Sequence, residues 1–245
     1  MPRVPPAAAV RPRPRPPRLP PRLRRAAGPS AAALGLLLAL LGVVLLAGCG
    51  RDGGPRTTET RRVAAFTAVD VGGATEATVR RGSRPAVVLR AGRDDLARVR
   101  TRVTDGRLTI DTGPDRLFAD GVDGPVRAVV VVPELRSAGV HGGARLDLGD
   151  RRGGPLTVGV SGGGAVVGAG RAGTLRIVAS GGADVDLGRL RADRARVTGS
   201  GGAAVRVHVR QRLDAALSGG ADVTYGGRPR VVRRGDGGEL TPAAR

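Results

Sequence analysis

The chain has no tryptophan, and its 245 residues contain one tyrosine, two phenylalanines, one cysteine and one methionine. It also has no lysine, so every basic side chain except the two histidines is arginine. A single cysteine, Cys49, rules out an intramolecular disulfide, and the fold must rest on packing and ladder hydrogen bonds. With so few aromatics the core must be built from Val, Leu, Ile and Ala, which suit a narrow interior lined by sheet. The same scarcity removes the stacking platforms that grip sugars and single-stranded nucleic acid. No helical period persists beyond a short candidate at Asp94 to Val99, so the chain reads as all-β. The glycine-rich segments lack the Lys-Ser/Thr of a phosphate loop, no Cys/His cluster has metal spacing, and no cofactor is implied.

The formal net charge is +20, but it is unevenly spread. Eight arginines and no acid precede Cys49; the remainder carries 33 arginines against 21 acids. A GC-rich genome would favour Arg, Ala, Gly, Val and Pro together, so the charge alone does not specify a partner. Met1 to Ser30 is rich in Arg and Pro, and Ala31 to Ala47 is an unbroken apolar run. That run ends in Leu46-Ala47-Gly48-Cys49. A basic region, an apolar region and a small-residue cleavage site make a secretory signal, and the tetrapeptide resembles the lipobox of bacterial lipoproteins. The expectation is a signal peptide over 1–48, with Cys49 lipidated and the protein anchored on the extracytoplasmic face of the membrane. A short transmembrane helix and an ordinary cleaved signal are the alternatives.

Beyond the anchor, five double-glycine corners recur. They are His141-Gly142-Gly143, Ser161-Gly162-Gly163, Ser180-Gly181-Gly182, Ser200-Gly201-Gly202 and Ser218-Gly219-Gly220, at steps of 20, 19, 20 and 18 residues. A fixed period with one strand pattern per period marks a stacked β architecture. Counting from the Ser or His, position plus five holds Leu146, Val166, Val185, Val205 and Val223. Position minus three holds Ala138, Val158, Ile177, Val197 and Ala215. Positions plus four and plus six are mostly polar, as in Asp184/Asp186 and Ala204/Arg206. A period of two assigns the two sets to opposite faces. Each repeat therefore reads as strand, corner, strand, loop. The glycines supply the backbone freedom a sharp corner needs, and the Ser repetition argues for a turn role rather than a nucleophile.

Before the repeats, short alternating runs such as Phe66 to Val71 and Ala86 to Arg90 predict strands, and Asp105-Gly106 predicts a hairpin turn. Val126 to Val132, ending at Pro133, predicts a buried strand. Residues 49–63 are polar without an apolar face and read as a flexible tether; 64–232 are the β domain, and 233–245 a polar tail that either caps it or is disordered. An antiparallel β-sandwich is the rival fold, and the regular corner spacing decides against it.

From Phe66-Thr67-Ala68-Val69-Asp70-Val71, through Thr104 to Ile110 and Pro133-Glu134-Leu135, to the tandem corners and Val223 to Gly227, the chain resembles the putative auto-transporter adhesin head domain family, also called the head GIN domain. The resemblance implies a right-handed parallel β-helix in an exported protein. The usual corner of that family looks like Ser-Gly-Ser-Gly; here it is Ser-Gly-Gly, and no Gly-Ile-Asn tripeptide occurs. The family offers no catalytic residues to carry over.

Two aspartates on one strand face, Asp184 and Asp186, stand about 7 Å apart by strand geometry. Asp147 and Asp222 share that face. Such carboxylates could serve glycoside chemistry or a cation. However, Arg206 lies in the column of Asp186 one coil along, so a surface ion pair is expected. His141 and His208 fall in different columns, which argues against a shared metal. The expected role is non-enzymatic binding, adhesion or scaffolding, through the face bearing positions plus four and plus six. Its expected partners are an envelope protein or an anionic wall polymer, not nucleic acid. The competing roles are an enzyme acting on envelope polysaccharide and a structural lipoprotein without a ligand.

Overall fold

The computed structural model describes residues 55–113, 122 and 124–244. Cys49 and the signal segment lie outside the described residues. Residues 51–245 form one compact unit. Its strands are β1 (Arg56–Arg62), β2 (Ala68–Val71), β3 (Thr75–Arg81), β4 (Ala86–Gly92), β5 (Arg100–Thr104), β6 (Arg107–Asp111), β7 (Val126–Val132) and β8 (Ser137–Val140). They continue as β9 (Arg145–Arg152), β10 (Leu156–Val160), β11 (Ala165–Ala179), β12 (Asp184–Gly199), β13 (Ala204–Leu217), β14 (Asp222–Gly226), β15 (Arg230–Arg234) and β16 (Glu239–Pro242). One short helix, α1 (Arg93–Arg98), follows β4.

The strands form a parallel β-solenoid. One side of each coil precedes the glycine corner and a second side follows it. Both sides stack in register. On the second side Val166 pairs with Leu146 below and Val185 above, then Val185 with Val205 and Val205 with Val223. On the first side Val158 pairs with Ala138 and Ile177, and Ile177 with Val197. The plus-five and minus-three columns are therefore apolar ladders, and every member is buried. Because strand spacing is about 4.8 Å, each side chain packs on its like neighbour as well as across the coil.

The corners explain the glycines. The first glycine of each pair has positive φ: 69° at Gly142, 69° at Gly162, 72° at Gly181, 69° at Gly201 and 64° at Gly219. At Gly162, Gly181, Gly201 and Gly219 a β-carbon would also press on the glycine one coil below; at Gly181 it would come within 3.2 Å of the Gly162 carbonyl oxygen. The second glycine is different. Gly143, Gly163, Gly182, Gly202 and Gly220 lack positive φ and have ordinary van der Waals room. That room fits a corner in which Ser can stand at the second position. The Ser hydroxyls make no hydrogen bond among the described residues. The backbone carries the stacking instead: Ser180 N–H donates to Val160 O (3.0 Å) and Ser200 N–H to Ala179 O (3.0 Å).

The structure extends the stack beyond the five corners at both ends. Upstream, β2 and β3 flank a further corner at Gly73 (φ 67°), and β6 with β7 supplies the rung beneath it. Downstream, β15 and β16 lie in parallel register on β13 and β14, so residues expected as a polar tail form another coil. Its weak apolar signal, Val231 and Leu240 packed against the core, hid it from pattern reading.

The tether expectation is also corrected for residues 56–62. They form β1, antiparallel to β4 at the edge of the second side. An edge strand does not need an apolar face, and charge suits it. Arg61 fixes it in place: its guanidinium donates to Leu96 O (3.0 Å), Val99 O (2.7 Å) and Thr101 Oγ1 (2.8 Å), satisfying carbonyls at the end of α1. The hairpin turn between β5 and β6 has Asp105 at φ 50° and Gly106 at φ 70°, as the Asp-Gly signal predicts.

The asymmetry between the two corner glycines gives a test. Gly181→Ala should cost roughly 1–2 kcal/mol from the left-handed backbone alone. Gly182→Ala should be neutral or stabilise by up to about 1 kcal/mol. Urea unfolding of both variants checks this; equal losses would contradict the corner geometry.

Candidate functional site: an arginine-lined third side

The segment read as a loop between coils is a third side. Strands β11 and β12 run through it, and a register shift between Val167 and Ala169 marks the bend. Asp147 and Asp186 build that bend. Their Oδ1 atoms accept from the N–H of Gly149 (2.8 Å) and Gly188 (3.1 Å), two residues on. Asp186 Oδ2 also accepts from Arg206 Nη1 at 3.0 Å, the ion pair the sequence pattern predicts. The carboxylates considered for catalysis thus turn the chain or pair with a neighbouring coil. Asp184 and Asp222 stand exposed on the second side. His141 packs against Gly72 and His208 against Gly226, each filling space that a β-carbon would need. Among the described residues no group of three or more His, Cys, Asp or Glu is placed to hold a metal.

On the third side, Arg152, Arg171 and Arg191 stand in one register column, all exposed, with His208 continuing it. Their buried neighbours Ala172, Leu190, Ala192 and Val209 floor the coil. Like charges on side chains rooted on strands about 4.8 Å apart oppose folding, since like charges directly opposite on a sheet destabilise it. Among the described residues no ion pair relieves these three.

Two troughs flank the column. One, ≈ 610 Å³, has Arg152, Arg171, Arg191 and Arg210 above a floor that includes Gly153, Gly154 and Gly173. The other, ≈ 530 Å³, adds Arg151, Arg189 and Asp150. Both meet a cleft of ≈ 610 Å³ at the end of β3. That cleft follows from topology. β7 lies beneath β3, yet the chain passes from β7 through Pro133–Arg136 to β8, which lies above β2. The connection therefore skips a rung and leaves a gap lined by Arg80, Arg81, Glu134, Arg151 and Arg152.

Arg151 ties this crossover down. Its Nη1 donates to Leu135 O at 2.8 Å, and its buried Nε has no partner. Burial pulls its guanidinium below its ordinary pKa. Glu134 is held below the usual carboxylate range mainly by hydrogen bonding to Arg136, then by the charges of Arg136, Arg151 and Arg81. Asp193 pairs with Arg210 at 3.2 Å. Among the described residues, eight arginines on this side thus face only Glu134, Asp150 and Asp193, and two of those acids are engaged.

The long sides differ. Some of their charges pair between neighbouring rungs, as in Arg107–Asp70 (2.9 Å) and Arg127–Glu76 (3.4 Å), although Arg194, Arg212 and Arg230 also align on the first side, where Arg212 pairs with Asp214. Arg176, Arg194 and Arg196 are unpaired on the first side, beside an Asp214 carboxyl held low chiefly by Arg212. The polar plus-four and plus-six face is thus mixed and partly self-neutralised, and the uncompensated charge with concave shape lies one side further round. A signal was present in the sequence: Arg152, Arg171 and Arg191 recur at steps of 19 and 20, within one residue of the steps between the corners that precede them.

A repeat solenoid with this corner geometry defines the class, and the family follows. The family model described as putative auto-transporter adhesin, head GIN domain, matches residues 65–229, and the chain belongs to that family. Among solved structures it is similar to a putative adhesin from Bacteroides fragilis NCTC 9343, with a TM-score of 0.61, 17% identity, and coverage of 77% of this chain and 97% of that one. A putative adhesin from Parabacteroides distasonis ATCC 8503 is matched at a TM-score of 0.48 and 17% identity, over 78% and 98% of the two chains. At these identities the likeness concerns the fold. No curated protein matches the sequence.

If the third side is not there for stability, Arg171→Gln should leave folding unchanged or stabilise it by about 0.2–1 kcal/mol. Arg151→Gln, which loses the bond to Leu135, should destabilise by about 1–3 kcal/mol. Thermal melts of both variants separate the two roles, and a large loss for Arg171→Gln would make its column structural.

Proposed function

We propose that this chain is a non-catalytic binding module of the bacterial cell envelope. It is exported by its N-terminal segment, held at the membrane through lipidated Cys49, and engages anionic envelope material in an adhesive or scaffolding role. One observation carries the binding role: the third side holds an in-register arginine column that the fold leaves unneutralised, against troughs and a cleft. Charge that opposes folding and lines concave surface is readily explained by a ligand of opposite sign. Membership of an adhesin-named family supports a surface location, and the Leu46-Ala47-Gly48-Cys49 sequence supports the anchor. Acyl chains contribute about 0.8 kcal/mol per buried CH₂, so two or more give durable attachment.

Two experiments test the proposal. Mass spectrometry of the protein from a native host should find a mature N-terminus at Cys49 bearing acyl chains, and Cys49→Ser should abolish the modification and release from detergent-soluble membranes. Cleavage elsewhere, or an intact apolar segment, would remove the anchor. Isolated envelopes should retain the protein, and retention should fall when Arg152, Arg171 and Arg191 become Gln; unchanged retention would remove the third side from the binding role.

A further inference from the structure

The third-side reading can be taken to a ligand class. We propose that the arginine column is a track for a linear phosphodiester polymer that lies along the solenoid axis, crossing the coils rather than following a strand. This rests on the binding role proposed above.

Three features select that class. The first is direction. Arg152, Arg171 and Arg191 belong to successive coils, so their line runs perpendicular to the strands, with a rung every 4.8 Å or so. The troughs on either side are bounded by the same arginines and are continuous with Arg80 and Arg81 at the cleft. A polymer with regularly spaced charges can meet successive rungs, whereas a single small anion can meet only one or two. The second is the chemistry of the donors. Guanidinium forks place paired N–H groups against phosphate oxygens, and they stay charged at any physiological pH.

The third is the floor and walls. Gly153, Gly154 and Gly173 leave one trough shallow, and no aromatic lines it. Of the described aromatics, Phe66 is buried in the core and Tyr225 lies on the second side. A slender chain with the charge in its own backbone settles into such a trough. Bases and sugar rings would find no stacking surface there, which disfavours nucleic acid and uronate polysaccharide.

The test holds the full chain in phosphatidylcholine nanodiscs and measures binding to four probes, one of them pyrophosphate as the short phosphate anion. Long-chain inorganic polyphosphate stands in for the slender phosphate polymer, polygalacturonate for a carboxylated sugar polymer, and phosphatidylglycerol vesicles for an anionic membrane. The variants are a third-side triple, Arg152→Gln/Arg171→Gln/Arg191→Gln, and a first-side triple of equal charge change, Arg176→Gln/Arg194→Gln/Arg196→Gln. Thermal melts confirm that each remains folded.

Polyphosphate should bind at least about tenfold more tightly than pyrophosphate or polygalacturonate. The third-side triple should lose about tenfold or more, the first-side triple under about threefold. Loss of three phosphate contacts should lower the salt dependence of log K by about two. If polygalacturonate binds as well and is equally sensitive to the third-side triple, the third side remains the binding surface and the phosphodiester assignment is overturned. Preferential binding to vesicles overturns the polymer in favour of a membrane. Equal losses in both triples reduce the effect to net charge and overturn the track and the third-side reading together.

Discussion

The fold depends on backbone lying directly on backbone at one corner of each coil. Gly142, Gly162, Gly181, Gly201 and Gly219 repeat one left-handed turn, and from Gly162 onward each sits so close to the one beneath that a β-carbon would meet main chain. This contact fixes where a coil turns, so every residue before and after it falls in register with its counterparts. Apolar ladders follow because the corner has aligned them. Their side chains are small, since a coil only two side chains deep has no space for large ones. The near absence of aromatics is thus a property of the architecture as much as of composition.

Register also dictates the electrostatics. A parallel stack places like positions together, so a charge repeated at the coil period becomes a column of like charge. On the two long sides opposite charges meet between some rungs, as in Asp186 with Arg206 and Asp70 with Arg107, and where Arg194, Arg212 and Arg230 align on the first side Asp214 pairs with the middle one. On the third side no acid among the described residues pairs with the column. Arg152, Arg171 and Arg191 accumulate where the coil also hollows, beside a gap left by the crossover from β7 to β8. Geometry that the corners enforce for stability thereby concentrates charge in one line.

Much of the repeat was legible in the sequence. The double glycines, the apolar columns, the Asp105-Gly106 turn and the Asp186–Arg206 pair follow from spacing and alternation of period two. What escaped had a weak or broken pattern. The third side reads as a loop because the register between coils shifts at Val167/Ala169, so its residues fall out of the columns the corners align. β1 was read as a tether because an edge strand held by Arg61 needs no apolar face. The last coil was missed because Arg233 and Arg234 outweigh Val231 and Leu240. Both glycines of each corner look equivalent as letters, and only φ separates the required one from the replaceable one. The site was harder still, since its arginines are conspicuous only once the coils are stacked.

The skipped rung has a consequence for assembly. The order of rungs in space is β6 with β7, then β2 with β3, then β8 with β9, whereas the chain makes β2 and β3 first. A polypeptide appearing from its N-terminus cannot wind this solenoid turn by turn. Its earliest rung keeps two bare edges until residues some forty to seventy positions later arrive on either side. The coils beyond β9 can then add in sequence on a finished template. The segment from β2 to β9 is therefore expected to set the pace of folding, and it is the interval in which the nascent chain is open to pairing with the wrong strand.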